Sequence, residues 1–126
     1  MTLDPRGADA GIPTVTAQEA EQRLLDGSAA MLVDVREVVE YAALRVAGSV
    51  LLPLSQFGMR FAELPSDRPL MLICRSGARS GRATAFLLGQ GYRDVSNVAG
   101  GMIAWRAANL PVRSGPLEPG EGSQPG

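Results

Sequence analysis

The chain has 126 residues, 45% of them apolar and 20% charged, and its 12 basic and 13 acidic residues leave a formal net charge of −1. That is the size and balance of one ordinary folded domain. With no histidine, no lysine and a single cysteine, it can build no Cys-His or Ser-His-Asp pair, no Schiff base or phosphate-loop lysine, no internal disulfide and no structural zinc cluster.

In chain order, Met1 to Gly11 is small and polar and reads as a disordered tail, followed by a folded domain over residues 12–113. Nothing near the start is apolar for long enough to be a signal peptide or a membrane span, so a cytoplasmic location is expected, with no membrane partner. Thr14-Val15 is a short strand, and Thr16 with Glu19 three residues on forms a capping box that opens a helix to about Leu25. Met31 to Val33 is a buried strand ending at Asp34, and Glu37 to Ala43 a short helix. Val50 to Leu52 is a third strand closed by Pro53, and Ser55 to Leu64 is loosely helical. Leu70 to Ile73, the most apolar run, leads straight into Cys74. Ser80 to Leu88 is a helix, Val95 to Val98 a fifth strand and Met102 to Ala108 a last helix. Ser114 to Gly126, rich in Pro, Gly, Ser and Glu, reads as a second disordered tail. Strands alternating with helices in this way predict an α/β fold: an open, five-stranded, mainly parallel sheet with helices on both faces.

In such sheets the ligand crevice lies beyond the carboxyl ends of the strands. Two segments fall there: Asp34-Val35-Arg36-Glu37, and Cys74-Arg75-Ser76-Gly77-Ala78-Arg79-Ser80. A cysteine at a strand end, then a small-residue loop, then a helix start places its sulfur among backbone N–H groups that favour an anion. The helix and the Arg75 and Arg79 guanidinium groups are expected to lower the thiol pKa and expose a thiolate without a histidine. Gly77 lets the loop curl, and Ser76 and Ser80 add hydroxyl donors. Asp34, Arg36 and Glu40 are expected to support the loop rather than touch the reacting sulfur, Arg36 and Glu40 as an ion pair four residues apart. The near-neutral charge gives no field for a nucleic-acid backbone, so no nucleic-acid partner is expected.

The loop Cys74 to Ser80 resembles the active-site loop of single-domain rhodaneses, the thiosulfate sulfurtransferases. The resemblance extends to Asp34-Val35-Arg36-Glu37 with Glu40-Tyr41, Gly48, Leu52-Pro53-Leu54, Asn97 to Met102 with Trp105, and Leu110-Pro111-Val112. It implies that Cys74 takes the outer sulfur of a donor such as thiosulfate as a persulfide and passes it to a thiol or cyanide acceptor, a sulfur-relay protein being one such partner, with no metal or other cofactor. The chain departs from the family pattern at Leu44-Arg45-Val46, where Gly-His-Ile is usual, and at Ala47-Gly48-Ser49, where Pro-Gly-Ala is common. Two other readings stand beside it. A cysteine phosphatase of related architecture has five residues between cysteine and arginine, whereas four separate Cys74 from Arg79. A rhodanese-like carrier or regulatory interaction module would need the same loop but turn over small molecules slowly.

Overall fold

The computed structural model describes residues 11–124. The expected N-terminal tail, Gly11 excepted, lies outside the described residues, as do Pro125 and Gly126. The elements follow in the order β1 (Thr14–Val15), α1 (Ala17–Leu25), β2 (Met31–Asp34), α2 (Val38–Ala43), β3 (Val50–Leu51), α3 (Leu54–Arg60), a 3-10 turn (Phe61–Glu63), β4 (Leu70–Ile73), α4 (Ala78–Gly89), β5 (Val95–Val98) and α5 (Gly101–Ala107). Local chemistry sets the first helix boundary. Thr16 Oγ1 accepts the Glu19 N–H at 3.0 Å while Glu19 accepts the Thr16 N–H at 2.8 Å, which gives two otherwise orphaned donors their acceptors.

The five strands form one sheet in the order β1-β5-β4-β2-β3, and every pairing is parallel. Along β4 the side chains alternate. Leu70 and Leu72 join Val33, Leu52, Phe57 and Leu87 under α3 and α4, whereas Met71 and Ile73 join Leu32, Val98, Met102 and Trp105 under α1 and α5. A strand buried on both faces has no polar side to show, which is why β4 reads as an unbroken apolar run. Asp34 is in register with Ile73, so the ends of β2 and β4 deliver Asp34 and Cys74 to the same edge, where the strand order reverses direction.

The segment after Arg113 is not the free tail its composition suggests. Arg45 is fully buried and donates to the Glu121 carboxylate, to the Gly115 carbonyl at 2.9 Å and to the Ala42 carbonyl at 3.0 Å. Backbone bonds between Arg45 and Arg113 run both ways, at 2.8 and 2.7 Å, and Leu51 N–H on β3 donates to Gly122 O at 2.8 Å. A buried guanidinium requires a counter-charge and acceptors, and a strand edge requires acceptors for its N–H groups. One stretch of polar chain supplies both. The Arg45 guanidinium in turn holds the Glu121 carboxyl down at about 2.

Candidate active site

Cys74 follows the last residue of β4 and is 1% exposed. Its sulfur accepts two hydrogen bonds, from the Gly77 N–H at 3.0 Å and from the Ser80 hydroxyl at 3.2 Å. The first depends on Gly77 standing at φ 103°, in the left-handed region that glycine adopts freely, so that the chain turns back over the sulfur before α4 begins. That helix starts at Ala78, two residues ahead of the sequence reading, because Gly77 occupies its N-cap. Ser76 and Ala78 are exposed at the rim, and Gly77 and Ser80 are buried beneath it.

Groups outside the loop hold its carbonyls. Met102 N–H donates to Cys74 O at 2.8 Å and Ile103 N–H to Arg75 O at 3.1 Å, so the start of α5 grips the cysteine from behind. Asn97, buried in β5, donates from Nδ2 to Gly77 O at 3.1 Å. Sequence reasoning assigned none of these residues a part in the site. The signal was there for Asn97: an amide in the interior of a buried strand needs a polar partner close by.

Arg36, Arg75 and Arg79 stand around the loop with the Asp34 and Glu40 carboxylates, and their pairing differs from the sequence expectation. Arg36 does not pair with the Glu40 carboxylate. It grips Asp34 through Nε at 3.0 Å and Nη2 at 2.7 Å, and it also donates to Leu44 O at 2.6 Å and Glu40 O at 3.4 Å. The Asp34 carboxylate is closer along the chain and already faces the same crevice edge. With both side chains almost fully buried, the pair ties the end of β2 to the end of α2. Glu40 instead forms a two-pronged pair with Arg79, both bonds at 2.8 Å, and accepts the Glu37 N–H at the start of α2. Arg79 is therefore a tether between α2 and the loop. Arg75 is exposed.

The Arg79 guanidinium lowers the Glu40 carboxyl from 4.5 to about 2. A depressed carboxyl contributes stability above its unfolded pKa and loses it as pH falls toward the folded one, here from about 4.5 to about 2. The side chains are 29% and 30% exposed, so screening leaves the pair worth only about 1 kcal/mol. Urea melts of the native chain and Glu40→Gln are expected to differ by about that amount near pH 6 and to converge by pH ~2. A gap independent of pH would place the effect in the hydrogen bonds and not in the charge.

Among the described residues no group of three or more His, Cys, Asp or Glu side chains is placed to hold a metal ion, and no helix is long and apolar enough to cross a membrane.

Comparison with known proteins gives concordant results. The chain is 40% identical over 98 residues to a sulfurtransferase from Allochromatium vinosum, covering 78% of this chain and 92% of that one. It is 38% identical over 78 residues to the thiosulfate sulfurtransferase GlpE of Pseudomonas savastanoi pv. phaseolicola, covering 62% and 74%. Some other curated relatives are longer, and the matched region spans 24% to 54% of their length. The crystal structure of a rhodanese-related protein from Thermoplasma volcanium superposes with a TM-score of 0.73 at 28% identity, over 80% of this chain and 97% of that one. Residues 16–108, which carry the cysteine loop, strands β2 to β5 and α5, match the rhodanese-like domain, and the chain belongs to that sulfurtransferase family.

Proposed function

We propose that the protein is a thiosulfate sulfurtransferase that works through a persulfide on Cys74, in the reducing cytoplasm. The observation that carries this reading is the pair of donors aimed at one sulfur, Gly77 N–H at 3.0 Å and the Ser80 hydroxyl at 3.2 Å. Donors so placed favour an anionic sulfur and remain in place when a second sulfur is added to it.

In the first step the Cys74 thiolate attacks the outer sulfur of thiosulfate. The Cys74 S–S bond forms as the donor's S–S bond breaks, and its electron pair leaves with sulfite. In the second step a thiolate or cyanide attacks the outer sulfur of the persulfide, and the electron pair returns to Cys74 Sγ. No external oxidant or reductant takes part. Arg75, exposed at the rim, attracts the anionic donor. Arg79, neutralised by Glu40, keeps the loop against α2. Ser76 and Ala78 leave the mouth open, and the Asp34–Arg36 pair fixes the neighbouring crevice edge.

Intact-mass spectrometry tests the covalent step. Incubation with thiosulfate should add one sulfur, about 32 Da, at Cys74, and cyanide should remove it as thiocyanate. A protein that stays unmodified under donor excess is not a thiosulfate enzyme. One that loads sulfur but turns over slowly with small acceptors is a carrier.

A further inference from the structure

The geometry points to a groove beside the Cys74 loop that receives the carboxylate-bearing body of a small thiol acceptor. It rests on the persulfide chemistry proposed for Cys74 and names the class of molecule that discharges it. The groove lies between α2, the loop and α5 and encloses about 320 Å³, within the range of small-molecule sites.

Charge pairing decides which side chains are available there. Of the arginines around the mouth, Arg36 is neutralised by Asp34 and Arg79 by Glu40. Arg75 and Arg106, which both line the groove, are exposed and have no side-chain partner among the described residues. The groove therefore carries two uncompensated positive charges. The rest of its lining is Arg36 and Glu40, whose charges are already paired with Asp34 and Arg79, and carbon from Ala43, Leu44, Met102 and Ile103, with Ile103 51% exposed. Thiosulfate explains the charge but not the size or the apolar walls, since an inorganic dianion has no carbon to lay against them. An organic thiol with two carboxylates satisfies both.

The depth of the sulfur argues for a small acceptor. Cys74 is 1% exposed, so the attacking thiol must belong to a molecule small enough to approach between the loop and α5. With the carboxylates held by Arg75 and Arg106, the thiolate attacks the outer persulfide sulfur. The new S–S bond forms on the acceptor, the Cys74 S–S bond breaks, and its electron pair stays on Cys74 Sγ.

The test discharges preloaded Cys74 persulfide with mercaptosuccinate, a dianionic thiol, and with neutral 2-mercaptoethanol, each rate expressed per thiolate. The native chain is expected to prefer mercaptosuccinate by about tenfold at low ionic strength, with the preference fading at high salt. Arg106→Glu should cut that ratio at least about fivefold, and Arg106→Gln by an intermediate amount. A native ratio at or below one, or a ratio that Arg106→Glu leaves unchanged, overturns the groove. Failure of thiosulfate to load Cys74 would instead remove the donor chemistry. Loading with inorganic polysulfide then still allows the acceptor comparison.

Discussion

Cys74→Ser is expected to remove sulfur transfer altogether, by on the order of a thousandfold or more, while the protein remains folded. The reason lies in the difference between a thiol and a hydroxyl. Both fit the same space, but sulfur is the far stronger nucleophile toward sulfur and forms a stable bond to a second sulfur atom. The serine oxygen can still accept from Gly77 N–H and Ser80, which now surround Sγ, so the loop loses no partner. The cost to the fold is about 1 kcal/mol, for a more polar atom where Cys74 packs among Val35, Leu52 and Ala83. Thiosulfate:cyanide turnover, intact mass after thiosulfate and urea melts on the one variant separate these effects. Residual turnover in a folded Cys74→Ser protein would show that the sulfur passes through some other group.

The parts of the molecule visible in the sequence are those whose causes are local. An apolar run of four residues had to be a strand buried on both faces. A Thr-x-x-Glu spacing had to start α1. A cysteine between such a strand and a glycine loop had to sit at the carboxyl edge. The pairings that organise the crevice are not local. Glu40 and Arg79 are 39 positions apart, and Arg45 and Glu121 are 76 apart. A helical spacing rule can offer Arg36 and Glu40 as partners, but it cannot weigh that contact against a carboxylate from the adjacent strand or a guanidinium from a distant loop. The C-terminal segment misled for the same reason. Its composition describes a chain with only Leu117 to bury, and nothing in composition reveals that Arg45, where the family usually has histidine, waits inside the domain for its carboxylate and carbonyls. The substitution thus turns away from the crevice and leaves Leu44 on the groove wall.

The pairings also assign the arginines their separate tasks. Two are spent on geometry: Arg36 fastens β2 to α2, and Arg79 fastens α2 to the cysteine loop. Both tethers converge on α2, a helix of six residues that is too short to hold its own position. Movement of α2 would shift Glu40, and through Arg79 the first turn of α4, where Ser80 donates to the sulfur. Arg75 and Arg106, exposed and without a side-chain partner among the described residues, keep the charge that the proposed donor and acceptor would meet.

Gly101→Ala is expected to lower stability by about 2–6 kcal/mol in all, and to damage activity with it. Gly101 stands at φ 55°, where a side chain brings backbone strain of ~1–3 kcal/mol. A methyl there would also lie 2.7 Å from the carbonyl carbon and oxygen of Arg75, and closer still to Cys74 O. These are backbone atoms and cannot swing aside like the end of a flexible side chain, so overpacking adds another ~1–3 kcal/mol. The only relief is for α5 and the cysteine loop to separate. That lengthens the bonds from Met102 N–H to Cys74 O and from Ile103 N–H to Arg75 O, the ones that hold the loop from behind. The variant should therefore melt at markedly lower urea, and its folded fraction should load sulfur from thiosulfate more slowly than the native chain. Gly58, exposed on α3 with φ in the ordinary range and open space around it, provides the control. There the same substitution should be neutral or slightly stabilising, because alanine is the better helix former. If Gly101→Ala melts and loads sulfur like the native chain, α5 does not set the position of Cys74.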